Sequence, residues 1–187
     1  MANRSNHYEA ALEQYLRDHR ITYVAVDEAK RSMLAEASLK SLDFIVSSPQ
    51  GGTWLIDVKG RRFPAGKQKQ YWRNWTTGDD LHSLAAWQDL FGPHSQALLL
   101  FAFQVVGRRA PLPPARLYWH RESIYGFVGI RLEDYLPQAR VISPKWNTLA
   151  IPTRAFRLLA EPLDELLLQA PRREPAGAMP FGAAGSD

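Results

Sequence analysis

The chain of 187 residues has no cysteine. Disulfides, a thiolate zinc site and a cysteine nucleophile are therefore excluded. It also lacks any run of 18 apolar residues, so no membrane-spanning helix is expected. The opening MANRSNHYEA carries no apolar segment, and no secretory leader is expected. Neither G-x-G-x-x-G nor G-x-x-x-x-G-K-[ST] occurs, which removes the glycine-rich phosphate cradles. A G-x-S-x-G nucleophile elbow is missing too. The histidines (His7, His19, His82, His94, His120) are scattered without metal-ligand spacing. His7 is the one to watch, because it lies half a turn from Glu9. These absences are compatible with a cytoplasmic protein. The length suits one domain with a real core.

What is present begins with a mild positive balance. Net charge is +4 and the isoelectric point is near 9.5. That favours a polyanion partner, weakly when taken alone. The chain is organised around Leu42 to Lys59, LDFIVSSPQGGTWLIDVK. Two β-prone runs, Leu42 to Ser47 and Thr53 to Lys59, flank the turn residues Ser48-Pro49-Gln50-Gly51-Gly52. Pairing Ser47 with Thr53 sets Asp43 opposite Asp57. Alternation then puts Phe44, Val46, Trp54, Ile56 and Val58 on one face. The other face carries Asp43, Ile45, Ser47, Thr53, Leu55, Asp57 and Lys59.

Packing does not account for that acidic pair. Directly opposed residues have Cβ atoms about 4.5–5.5 Å apart, and like charges there are destabilising. A cation joining them removes the conflict. A hard divalent ion such as Mg²⁺ or Mn²⁺ suits two carboxylates, with water and phosphate completing its shell. Lys59 lies roughly 6.5–7 Å from Asp57 along the strand, within reach of a scissile phosphate. Two acids and a lysine in this arrangement suit metal-assisted phosphodiester hydrolysis.

The pattern Asp43…Asp57-Val58-Lys59 resembles the signature of the PD-(D/E)XK, or restriction-endonuclease-like, nucleases. Leu42 stands where a proline often precedes the first Asp. Many members place a Glu on a preceding helix, as Holliday-junction resolvases do, and Glu9 is the matching residue here. The opening His7-Tyr8-Glu9-Ala10-Ala11-Leu12-Glu13 is also similar to an uncharacterised planctomycete family named for the phrase HYExAFE, with Leu12 replacing its Phe. The resemblance covers about residues 5–105. It implies a three-layer α/β core with a mixed sheet flanked by helices. It further implies Mg²⁺ (or Mn²⁺) held by Asp43, Asp57 and Glu9, with Lys59 positioning the attacking water. DNA would be the substrate, in-line attack would leave a 5′-phosphate, and a homodimer is allowed. Some nuclease families carry a Gln on the helix after the Lys strand, near the active site, which makes Gln88 a candidate.

The remaining elements agree with an α/β plan. A helix is expected over Asn6 to Arg20, with Ser5 or Asn6 as cap. Glu9 three residues after Asn6 equally fits a capping box. A strand is expected over Ile21 to Val26, and Asp27 to Lys40 reads as polar with a short helical turn. Gly60 to Trp75 reads as a basic, aromatic-laced segment, with Arg61, Arg62, Lys67, Lys69 and Arg73 as nucleic-acid contacts. A solvated loop with its aromatics tucked onto the domain fits that stretch equally well. A helix over Asp79 to Phe91 with Leu81, Leu84, Trp87, Leu90 and Phe91 inward precedes a buried strand over Gln96 to Val106. That strand can return parallel. After a Pro-rich link at 107–114, a hairpin (Arg116 to Trp119, Tyr125 to Ile130), a strand over Asn147 to Ile151 and a helix over Thr153 to Ala160 capped by Thr153 follow. Pro162 to Leu168 forms a final amphipathic turn. Tyr118, Trp119, His120, Lys145 and Trp146 are read first as packing residues and second as a substrate surface. Residues 1–169 make one domain, with 106–169 as its C-terminal β/α extension; from Ala170 onward the Ala/Gly/Pro composition predicts a disordered tail. The expected function is a metal-dependent DNA endonuclease. The alternatives are an inactive nucleic-acid-binding module of the same fold and a protein-interaction domain.

Overall fold

The computed structural model describes residues 6–26, 40–65 and 71–169. In chain order the elements begin α1 (His7–Asp18), β1 (Tyr23–Ala25), β2 (Phe44–Ser47), β3 (Thr53–Phe63), β4 (Thr76–Thr77), α2 (Gly78–Phe91) and β5 (Ser95–Val105). They continue with β6 (Tyr118–His120), β7 (Ser123–Arg131), α3 (Leu132–Tyr135), β8 (Arg140–Ser143), β9 (Thr148–Ala150), α4 (Thr153–Leu159), β10 (Glu161–Pro162) and α5 (Leu163–Leu167). No described helix is long and apolar enough to cross a membrane.

The central hairpin sets the frame. Gly51 and Gly52 both take positive φ, +90° and +88°, and let β2 turn back as β3. The expected register is found: Ser47 pairs with Thr53 and Phe44 with Ile56, antiparallel. β5 then returns parallel to β3 along its whole length, from Thr53 beside Ser95 to Phe63 beside Val105. The α2 crossover makes that parallel pairing reachable. The sheet runs β1-β2-β3-β5-β7-β10, with β6 also on β7. A smaller sheet runs β4-β9-β8.

Alternation along the strands feeds two cores. Phe44, Val46, Trp54, Ile56, Leu98 and Leu100 pack with Leu12 and Leu16 of α1 and Leu166 of α5. Leu55, Leu99, Phe101 and Phe103 pack on the other face with Leu81 and Leu84 of α2 and Phe156 of α4. β5 is buried from Ser95 to Phe103 because both faces are covered. Each fully buried Leu, Ile or Phe contributes about 1.5–3 kcal/mol. The mixed sheet between helical layers is the α/β architecture expected from the sequence.

Several expectations are corrected. β3 extends to Phe63, beyond Lys59, because β5 continues to pair with it. The basic segment therefore starts as strand. Phe63 is buried, with Tyr71 and Trp72 packed edge-on against it at 5.0 and 5.3 Å, so these aromatics belong to the core. Leu90 is 71% exposed. It lies six residues from Leu84, about 120° away around a helix advancing 100° per residue, and so misses the sheet. Thr153 does not cap its helix; Pro152 holds that position without a side-chain bond. β8, unforeseen, pairs with β9. Lys67 and Lys69, the helical turn expected before Lys40, and the tail from Ala170 lie outside the described residues.

Gly60 governs how α1 meets the sheet. A Cβ built there would stand 2.1 Å from Tyr8 Cδ2, so only glycine lets the Tyr8 ring lie against β3. Gly60→Ala is expected to cost about 1–3 kcal/mol by overpacking. In urea titrations, Tyr8→Ala combined with Gly60→Ala should cost clearly less than the sum of the two single changes. Simple additivity would mean that this contact does not seat α1.

A candidate active site where β2 stops

β2 begins at Phe44, whereas β3 runs seven residues past its partner Ile56. Asp43 closes the ladder at that point. Its backbone N–H still donates to the Ile56 carbonyl at 3.1 Å. Its carboxylate Oδ2 then accepts from the Val58 N–H at 2.6 Å, replacing the next ladder bond with a side chain. This holds Asp43 beside the row of Asp57.

Two helices bring their first turns to the same notch. On α1, Asn6 caps the helix by accepting from the Tyr8 N–H, and its side-chain amide donates to Glu9 Oε1 at 2.6 Å. Glu9 thus takes part in the cap network, through the Asn6 side chain, and also lines the cavity. On α2, Thr77 and Asp80 form a reciprocal capping box. Asp80 then does more. Its carboxylate accepts from Lys59 Nζ at 2.8 Å and from Lys40 Nζ at 2.7 Å. Lys59 Nζ also lies 2.7 Å from Asp57 Oδ2, so it sits between two carboxylates. The resulting cavity of about 290 Å³ is walled by Glu9, Lys40, Asp43, Asp57, Lys59 and Asp80, with Leu84 and Trp87 at its side.

The charges in it are strongly perturbed. Burial, with the neighbouring Asp57 charge second, pushes the Asp43 carboxyl up to about 7. Burial likewise raises Asp57, against the pull of Lys59. Burial alone would lower the Lys59 ammonium, but Asp57 and Asp80 reverse that and hold it above its ordinary value. Burial would raise Asp80; Lys59 and Lys40 instead hold its carboxyl well below the usual range. Two neighbouring carboxylates that resist ionisation are a site lacking positive charge.

The donor chemistry fits a hard divalent ion. Asp57 Oδ2 is buried and receives no hydrogen bond; its contact with Lys59 is off hydrogen-bond geometry. Oxygen atoms so placed are what Mg²⁺ takes, in ones and twos, with water filling the rest. Among the described residues, no three carboxylate or histidine side chains converge at ligand spacing. Glu9 therefore shares the cavity without forming a ready-made three-ligand cage.

The other residues singled out from sequence fall elsewhere. Gln88 does not line the cavity; its side-chain oxygen accepts from the Ala97 N–H at 2.6 Å and anchors the start of β5. Arg61 is half-buried, with its guanidinium 3.9 Å over the Trp75 ring and donating to the Gly60 carbonyl at 2.7 Å. Burial pushes it down to about 10. That engagement ties Arg61 to the fold. Arg62 is exposed on β3, and Arg73 is half-buried. Asp80 was not singled out. Its sequence signal was only an acid in a first helical turn, which dipole and capping account for by themselves.

No protein-family model and no curated protein matches this chain. Among solved structures it is similar to the Holliday junction resolvase Hjc of Archaeoglobus fulgidus, an archaeal hyperthermophile. The TM-score is 0.50 at 12% sequence identity, over 86% of this chain and 98% of that one. The fold is therefore resolvase-like: a mixed sheet flanked by helices.

The raised Asp43 carboxyl predicts a pH signature. Between about pH 4 and 7 the folded protein keeps a proton that the unfolded chain has released, so metal-free stability falls as pH rises through that window. Mg²⁺ requires the charged carboxylates, so its stabilising effect should be absent near pH 5 and grow above about pH 7. Asp43→Asn should raise the metal-free melting temperature by a few degrees at about pH 8 and abolish the Mg²⁺ increment. A pH-independent increment, or one retained by Asp43→Asn, would place the ion elsewhere.

Proposed function

We propose that this protein is a metal-dependent nuclease that hydrolyses phosphodiester bonds in DNA. One observation carries the reading. Asp43 and Asp57, both with raised pKa, share a cavity with Lys59 at a notch in a resolvase-like fold. Asp43 and Asp57 would hold Mg²⁺ or Mn²⁺, and Glu9 would reach it through water. When bound, the ion supplies Lewis-acid activation and charge neutralisation.

The chain's own groups do the rest. Lys59 orients the attacking water and stabilises the charge that develops on the phosphate oxygens. Asp80 positions Lys59, holding its ammonium together with Asp57. Filling the notch with an ion and a phosphate would give Lys59 a new anionic partner and draw it from Asp80. In-line attack leaves a 5′-phosphate on the product. The segment from Arg62 through Arg73, with Lys67 and Lys69, supplies cationic contacts to the flanking backbone. We also read His7-Tyr8-Glu9 as the planctomycete family phrase. Its three residues reach a tyrosine of β7, Gly60 of β3 and the carboxylate notch in turn.

A second reading has one observation in its favour. Lacking three converged ligands among the described residues, the same fold would serve as a DNA-binding module without cutting. Cleavage assays separate the two. Linear, nicked, branched and single-stranded DNA are incubated with Mg²⁺, Mn²⁺ or EDTA; branched DNA is included because the similar structure is a junction resolvase. Wild type should cut only with metal. Lys59→Ala should lose about a hundredfold or more in rate while keeping the Mg²⁺-induced rise in melting temperature. Asp57→Ala should lose both. Wild-type cutting rates in Asp57→Ala would sink the nuclease proposal, and salt-sensitive binding without any cutting would favour the module.

A further inference from the structure

A second cavity, of about 370 Å³, lies on the other side of the first turn of α1. Glu9 lines the carboxylate notch and His7 lines this one, so that turn is a wall between them. Its floor is a polar network. His7 Nδ1 is 2.7 Å from the Tyr125 hydroxyl, and the Gln104 amide donates to Ser123 Oγ at 3.0 Å. Its rim is the β6–β7 hairpin turn, with His120, Arg121 and Glu122.

Three features separate this cavity from an ordinary surface dimple. His120 Nε2 is buried and has no hydrogen-bond partner. A buried ring nitrogen left unpaired is costly, and a hydrogen-bonding partner would relieve that cost. Arg121 sits in the left-handed region at φ +53°, a conformation that costs a non-glycine residue roughly 1–2 kcal/mol. The Trp119 indole donates to its carbonyl at 2.6 Å and fixes it there. Finally, cationic and neutral donors (Arg121, His120, His7 and Gln104) face a single carboxylate, that of Glu122.

Position names the ligand. Gln104 pairs with Arg62 in the β3–β5 ladder, three residues beyond the pair of Lys59 and Phe101. Side chains alternate along a strand, so that step of three turns Gln104 to the α1 side of the sheet while Lys59 and Phe101 face the α2 side. A nucleic-acid strand leaving the notch would therefore reach this cavity by passing round the first turn of α1, whose Glu9 lines one site and whose His7 lines the other. Arg62 is exposed and lies on the way, near enough to Tyr8 for its charge to oppose the rise that burial causes in the Tyr8 pKa.

We propose that this cavity is a phosphate subsite, in which Arg121 and His120 hold a backbone phosphate of the strand whose scissile phosphate lies at Lys59. It rests on the nuclease reading for its substrate. Its donors would also take inorganic phosphate.

Two measurements on the full chain test it. In EDTA, the ring-proton signals of His7 and His120 are followed by NMR while inorganic phosphate or a short single-stranded oligonucleotide is added. With Mg²⁺, cleavage kinetics are compared for wild type, Arg121→Gly, His120→Ala and Arg121→Lys. Arg121→Gly removes the guanidinium and relieves the left-handed strain, so misfolding does not confound it. Both ring signals should move, and at lower concentrations for the oligonucleotide than for phosphate. Arg121→Gly should raise KM about tenfold, chiefly in KM and not kcat, and reduce the salt slope of binding by about one, with partial rescue in Arg121→Lys. Cutting by wild type with still ring signals and an unchanged KM overturns the subsite and leaves the nuclease standing. Ring shifts without any cutting keep an anion site and overturn the nuclease. Ring signals that respond to phosphate but not to the oligonucleotide show a small-anion site and overturn the backbone assignment. No shift and no cutting overturn both.

Discussion

The hydrogen bond from the Val58 N–H to the Asp43 carboxylate is the hinge of this structure. A β-ladder continues as long as backbone meets backbone. Here a side chain takes the next donor, the partner strand ends, and β3 runs on with that edge released from β2. The substitution has two consequences at once. It pins one carboxylate against another, and it opens a notch in which both meet solvent. A longer β2 would cover the edge; an apolar residue at 43 would leave the Val58 donor without this acceptor.

Everything else at the notch serves to aim charge into it. α1 approaches one face because Gly60 admits the Tyr8 ring, and it delivers Glu9. α2 approaches the opposite face, and the acid that caps it also clamps Lys59. The lysine is thereby kept charged despite its burial, while Asp43 and Asp57 are driven toward the neutral form. Such an arrangement stores unfavourable electrostatics that a cation would relieve, and that stored cost is the physical argument for metal chemistry here. The same first turn of α1 separates the notch from the histidine- and arginine-lined cavity beyond it, so a single element organises both surfaces.

The sequence made the hairpin legible because its signals are local. Two glycines allow the turn, and period-two alternation then dictates which residues share a face. The register of Ser47 with Thr53 and the opposition of Asp43 to Asp57 follow from counting. Asp80 was not legible in the same way. Its capping role satisfied the local pattern, and nothing within a few residues signals a lysine 21 positions earlier. Gln88 shows the reverse: its place on the helix after the lysine strand suggested chemistry, whereas the adjacent Ala97 N–H needed an acceptor and took it. Arg61 reads as a free cation in a basic run, yet the length of β5 drew it into the sheet and over Trp75.

By itself, then, the sequence determined the antiparallel hairpin, the two-faced burial of β5, the alternation of helices and strands, and the carboxylate pair with its lysine. These depend on backbone preferences and on periodicities that act over a few residues. The tertiary structure alone decided where β2 ends relative to β3, which helix termini reach the notch, that Asp80 holds Lys59, and that His7 and His120 line one cavity. Those outcomes depend on contacts between residues tens of positions apart, made through packing of whole elements. No local spacing encodes such contacts, because many sequences with the same pattern could bring different side chains to the same place.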